Sequence, residues 1–210
     1  MQVEDKEVIL LKVSGQDKLG VTAGLSSILA TYDATILDIG QADIHDTLSL
    51  GILFEIKVGC TSGPVLKDLL FKAYELGVKV KFIPISIEDY EIWVKGQRKQ
   101  RYIINVLGET LTAVQLAAVT RILSNQNLNI DSIKRLTGRV SIIEKEEFPR
   151  SCIQLSVTGT IVDKTLMTAS FMEISRTLDV DISFQEDNMY RRNRRLVCFD
   201  MDSTLIEQEV

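Results

Sequence analysis

Apolar residues along this chain switch between a period of two and a period near 3.6, and the order of the switches predicts two similar domains. Val8-Ile9-Leu10-Leu11-Lys12-Val13-Ser14 is a strand-like run, followed by a loop from Gly15 to Gly20. Val21, Leu25, Ile28 and Leu29 then recur on one helical face through Tyr32. Ala34 to His45 and Leu48 to Val58 are two further runs rich in Ile, Leu and Val, joined by a polar turn at Asp46. Gly63-Pro64 places proline in the first turn of a helix whose inner side carries Leu66, Leu69, Leu70 and Ala73, with Gly77 as its stop. A closing strand runs from Val78 to Ile85, so the order is βαββαβ.

The order recurs. Arg101-Tyr102-Ile103-Ile104-Asn105-Val106-Leu107-Gly108 opens a second unit, with a helix over Ala113 to Asn125 and strands over Leu128 to Leu136 and Cys152 to Gly159. A helix from Lys164 to Leu178 and a strand from Val180 to Gln185 complete it. Ile143-Glu144-Lys145-Glu146-Glu147-Phe148-Pro149-Arg150 reads as a solvated loop that lengthens the central hairpin. The expected organisation is a first domain over 1–87, a linker over 88–100, a second domain over 101–190 and the start of a further domain over 191–210. Trp93, in the linker, packs on a domain seam or stands partly exposed.

Bulk properties narrow the classes. With 210 residues, 45% hydrophobic and 25% charged, the chain has the composition of an ordinary folded protein. Its longest apolar run is far shorter than the roughly 18–20 residues of a membrane span. The charged start, Met1-Gln2-Val3-Glu4-Asp5-Lys6-Glu7, stands where a signal peptide would carry its apolar core, so a cytoplasmic location is expected. A net charge of -5 argues against nucleic acid as a partner. Arg191-Arg192-Asn193-Arg194-Arg195 is a basic exception that reads as a solvated linker. Cys60, Cys152 and Cys198 are odd in number and widely spaced, which predicts buried reduced thiols rather than zinc ligands or disulfides. His45, the single histidine, is expected to be an exposed hairpin residue.

The last segment carries chemistry. Leu196-Val197-Cys198-Phe199 reads as a buried strand of a parallel sheet, and Asp200 follows at its carboxyl end, where open α/β sheets place their ligands. Asp202 comes two residues later, so one carboxylate can attack a phosphorus while the other handles the leaving-group proton. A divalent cation would relieve repulsion between the two, and magnesium suits an oxygen-only site that also holds a phosphoryl group. The same residues also read as a helix cap following a strand.

Asp200-Met201-Asp202-Ser203-Thr204 resembles the first motif of the haloacid dehalogenase superfamily, and Phe199 to Ile206 with Glu209 resembles its phosphoserine phosphatases. The resemblance implies that Asp200 is the phosphorylated nucleophile and Asp202 the general acid/base. It also implies that the Asp200 carboxylate and the Asp202 backbone carbonyl hold Mg2+, and that Glu209 meets the substrate's amino group. The implied substrate is O-phospho-L-serine. Later motifs of that superfamily find no room before Val210, so the chain is expected to be truncated and inactive by itself.

The two βαββαβ units resemble ACT domains, small ferredoxin-like modules that bind amino acids. Ser14-Gly15-Gln16-Asp17-Lys18-Leu19-Gly20-Val21-Thr22 is similar to the family's turn from first strand into first helix, with Leu19 where the pattern prefers proline. Gly20 lets a backbone approach a ligand, and the N–H groups that follow suit a carboxylate. Asp17 would meet an amino group, and Asp38-Ile39-Gly40-Gln41-Ala42-Asp43 resembles the facing wall, which supplies Asp38, Gly40 and Gln41. The same features also fit an ordinary turn without a ligand. The second unit has Gly108-Glu109-Thr110-Leu111-Thr112 in place of the acidic turn, which predicts packing or dimerisation there.

The expected fold is therefore α+β, two ferredoxin-like domains followed by the first strand of an α/β domain. One expected function is the regulatory part of a phosphatase that makes L-serine, with L-serine as effector. The other is a free-standing amino-acid-binding or dimerising module. Exposed sheet edges favour a homodimer in either case.

Overall fold

The computed structural model describes residues 6–57, 62–96, 99–139, 141, 143, 150–188 and 191. They form two compact units, the first ending at Gln97 and the second beginning at Arg98. The first unit runs β1 (Glu7–Gln16), α1 (Val21–Thr31), β2 (Thr35–Ile44), β3 (Thr47–Ile56), α2 (Ser62–Leu76), β4 (Lys79–Ile85) and α3 (Ile87–Gly96). Its strands form an antiparallel sheet in the order β2-β3-β1-β4.

Burial alternates along β3, so one side of the sheet faces the core. Leu48, Leu50, Ile52, Phe54 and Ile56 pack there with Ile9, Leu11 and Val13 of β1. Val21, Leu25 and Leu29 of α1 and Val65, Leu69 and Ala73 of α2 close the same cluster, which places both helices on one face. Each fully covered leucine is worth about 1.5–3 kcal/mol of hydrophobic stabilisation. Leu70 was expected on this inner side and is instead exposed. The buried face of α2 follows i, i+4, i+8 from Val65, and Leu70 lies about 100° round from Leu69.

His45 and Asp46 both take left-handed backbone angles, φ 45° and 57°, between paired Ile44 and Thr47. That is a two-residue type I′ hairpin, and it leaves His45 exposed as expected. The 88–100 linker contains a helix. Ser86 Oγ accepts from the Asp89 N–H at 3.0 Å and starts α3, with Glu88 and Asp89 in its first turn and Lys95 in its last. Trp93 of α3 is partly exposed, its ring 6.0 Å from that of Tyr90.

The second unit repeats the first as β5 (Arg101–Gly108), α4 (Ala113–Asn125), β6 (Leu128–Arg135), β7 (Ser151–Gly159), α5 (Lys164–Leu178) and β8 (Asp181–Glu186), in sheet order β6-β7-β5-β8. Tyr102, Ile104 and Val106 meet Val119, Leu123, Met167 and Phe171 in its core. The repeat extends to irregularities. Asp33 before β2 and Asn127 before β6 both have positive φ, and each strand then carries a bulge, at Ile36/Asp38 and at Ile130/Ser132.

Cys152 is half-buried rather than buried, and that burial pushes its thiol up from the ordinary value. Cys60, Cys198, residues 144–149 of the charged loop and the terminal strand lie outside the described residues. Among the described residues no helix is long and apolar enough to cross a membrane.

Candidate functional site

Three pieces of the first unit converge where β1 hands over to α1. The Asp17 N–H donates to the Asp46 carbonyl at 2.7 Å, which ties the turn to the β2–β3 hairpin. Gly20 is the N-cap of α1 with φ 89° and ψ -1°, a left-handed conformation that L side chains rarely adopt. The space around it is open, because a Cβ there would meet nothing within 4 Å. No side chain caps α1 and no acidic residue sits in its first turn, so among the described residues no side chain accepts from the helix's first amides. The Thr22 hydroxyl, in that same turn, donates to Gln41 Oε1 of β2 at 2.8 Å.

The structure sorts the expected ligand residues into two groups. Gly20, Thr22 and Gln41 come together at the helix start. Val21 is buried in the core, so only its backbone can face a ligand, and its N–H lies 3.5 Å from the Lys18 carbonyl. Asp38 and Gly40 pair with Leu53 and Gly51, whereas Gln41 pairs with core-facing Leu50. Period-two alternation therefore puts Gln41 on the helix side of the sheet and Asp38 and Gly40 on the opposite side. Asp38 Oδ1 accepts from the next residue's N–H at 2.9 Å. Asp17 is exposed beside the turn.

The equivalent place in the second unit is filled by the chain itself. Thr112 caps α4, its Oγ1 accepting from the Gln115 N–H at 3.2 Å, while Gln115 Oε1 accepts from the Thr112 N–H at 2.8 Å. Gln115 Nε2 continues to the Leu178 carbonyl at 2.9 Å. Arg135, at the position matching Gln41, donates to Ser151 Oγ and to the Gly138 carbonyl, both at 3.0 Å. The Thr112-x-x-Gln115 box is legible in the sequence as a helix start, and it accounts for the absence of an open helix end here.

Residues 7–83 and residues 101–185 each match a model of the ACT domain. The chain carries two ACT domains. It is homologous to phosphoserine phosphatases: it is 31% identical over 209 residues to phosphoserine phosphatase of Streptomyces coelicolor, covering 100% of this chain and 47% of the relative. Phosphoserine phosphatase SerB2 of Mycobacterium tuberculosis is 27% identical over 205 residues, covering 98% of this chain and again 47% of the relative. The chain thus spans about half the length of these curated relatives. A protein of unknown function from Galdieria sulphuraria superimposes with a TM-score of 0.69 at 16% identity, over 88% of this chain and 100% of that one, a likeness of fold alone.

Both ACT domains lack a metal centre within the described residues, where no group of three His, Cys, Asp or Glu is placed to hold an ion. Asp200, Asp202 and Glu209, the residues expected to act on a phosphate, lie outside the described residues.

Proposed function

We propose that this chain is the amino-acid-sensing portion of a cytoplasmic phosphoserine phosphatase of the haloacid dehalogenase superfamily, an enzyme hydrolysing O-phospho-L-serine to L-serine and phosphate. The observation that carries the reading is the match to the Streptomyces coelicolor phosphatase along the whole chain, terminal Asp200-Met201-Asp202-Ser203-Thr204 motif included.

In this reading the Asp200 carboxylate attacks phosphorus, and the serine oxygen leaves with a proton from the Asp202 carboxyl. Asp202 then takes a proton from water, which attacks the aspartyl-phosphate, frees phosphate and restores Asp200. Glu209 holds the substrate's amino group. Asp200 and the Asp202 carbonyl would bind magnesium, an all-oxygen donor set that fits this ion, and the bound ion would offset phosphate charge. The first ACT domain supplies the effector site. The uncapped amides of α1 suit the carboxylate of L-serine, Thr22 and Gln41 supply polar contacts, and Asp17 supplies a charge for its amino group.

The test begins with the mass of the native protein in its source cells, followed by magnesium-dependent phosphoserine hydrolysis with and without L-serine. A longer native protein, a hydrolytic rate that responds to L-serine and loss of phosphoenzyme in Asp200→Asn are expected. Residual phosphoenzyme in that variant would remove Asp200 from its role, and a native protein no longer than this chain would leave a free-standing ACT module.

A further inference from the structure

The two domains begin their first helices on different residues. Buried positions recur at the same spacing in α1 and α4, Val21, Leu25 and Leu29 against Gln115, Val119 and Leu123. Gln115 is thus the polar counterpart of Val21, at a place only 7% exposed, where an amide is costly unless hydrogen-bonded. Its two ends reach different elements. Oε1 accepts from the Thr112 N–H at 2.8 Å, and Nε2 donates at 2.9 Å to the carbonyl of Leu178, the last residue of α5. One planar amide therefore ties the β5–α4 turn to the end of the second helix. Gly77 and Asp179 are the matching left-handed residues just past α2 and α5, with φ 70° and 49°. At Gly77 the group that approaches from the β1–α1 turn is the exposed Lys18, whose ammonium lies 3.4 Å from where a Cβ would stand.

We infer that Gln115 is a built-in ligand of the second ACT domain, its side-chain amide standing where the first domain takes a free amino acid, so that sensing is confined to the first domain. The comparison with a bound effector rests on the serine-sensing reading above. A free amino acid brings an acceptor, its carboxylate, and a donor, its ammonium. The Gln115 amide brings the same pair in neutral form, the acceptor on a turn amide and the donor on a helix-end carbonyl. Because the group is tethered to α4, its binding carries none of the cost of bringing two molecules together, and the place is filled at every ligand concentration. The Thr112 hydroxyl completes the arrangement by accepting from the Gln115 N–H at 3.2 Å. One effector per chain follows, with the second turn held whatever the level of L-serine.

Three measurements on the full chain test this. Titration calorimetry should give one L-serine per chain, and two would overturn the inference, because the second domain would then take a ligand with Gln115 in place. No binding at all would instead sink the serine-sensing reading, while the other two measurements, which need no serine, still decide the role of Gln115. In hydrogen exchange without serine, the Thr112 amide of the wild type should be protected at least about 10-fold, and an unprotected Thr112 overturns the inference. Gln115→Ala leaves room for a small amide. Acetamide should raise the melting temperature of this variant more than that of the wild type, and N,N-dimethylacetamide, which accepts but cannot donate, should not. Equal shifts in variant and wild type overturn the inference, and if Gln115→Ala does not fold, the exchange measurement on the wild type decides.

Discussion

The Thr22 hydroxyl donates to Gln41 Oε1 at 2.8 Å, joining the first turn of α1 to edge strand β2 across 19 residues of sequence. The bond lies at the surface, where a neutral hydrogen bond contributes only about 0.5–1.5 kcal/mol net. Its consequence is positional. It holds the Gln41 side chain beside the first turn of the helix, whose start no side chain caps.

Thr22→Val keeps the shape and removes the donor. Unfolding by urea should show a loss of less than about 1 kcal/mol, while calorimetric titration with L-serine should weaken by roughly 5-fold or more as Gln41 loses its anchor. An unaltered titration would place the ligand away from this bond.

Gly20 and Gly40 separate backbone strain from crowding. A Cβ at either would meet nothing within 4 Å, but only Gly20 has a positive φ, at 89°. Gly20→Ala should therefore cost about 1–2 kcal/mol, and Gly40→Ala should be neutral or slightly stabilising within β2. Denaturant midpoints for the two variants compare them directly. Equal losses would mean that the turn conformation is not what requires glycine.

Gln115 is 7% exposed and satisfies three partners, the Thr112 amide and hydroxyl and the Leu178 carbonyl. Gln115→Leu keeps the bulk and strands two polar groups in the second domain. The expected loss is about 2–4 kcal/mol, larger than for Gln115→Glu, which retains the acceptor for Thr112. A thermal melt of each variant tests the order, and equal losses would argue that packing, not polarity, fixes this residue.

Much of this fold is legible in the sequence because its helices have one apolar face and its strands alternate. α4 and α5 begin and end at the expected residues, Ala113 to Asn125 and Lys164 to Leu178. α3 is harder to read because it buries no residue, so no periodic face marks it and only Ser86 and the acidic first turn do. The site is half legible. Gly20 announces a turn, but which β2 residues face it depends on a bulge. Ile36 pairs with core-facing Phe54, and simple alternation from there would turn Asp38 and Gly40 toward the helices. The extra residue between Ile36 and Asp38 reverses that parity and presents Ile39 and Gln41 instead. Nothing in the local residue pattern signals the reversal, since a bulge is fixed by pairing with a strand further along the chain.

Tyr32, the C-cap of α1, donates its hydroxyl to Asp68 Oδ2 of α2 at 2.6 Å and so latches the two helices. The hydrogen bond to Asp68 holds the phenol above its ordinary value, with burial and the Asp68 charge adding in the same direction. The folded state thus binds this proton more tightly than the unfolded chain does. Its contribution to stability is complete below the unfolded phenol value of about 10 and is lost as pH rises through the folded value. Tyr102 in the second domain is raised too, first by its burial and then by the charge of Glu186, so the wild type should weaken at alkaline pH through both groups. Tyr32→Phe removes one of them. Its stability at neutral pH should fall by the loss of the latch, and its decline as pH rises above about 10 should be shallower than that of the wild type. Urea unfolding at a series of pH values would show the difference, and parallel declines would mean that the Tyr32 proton is held no more tightly in the folded chain than in the unfolded one.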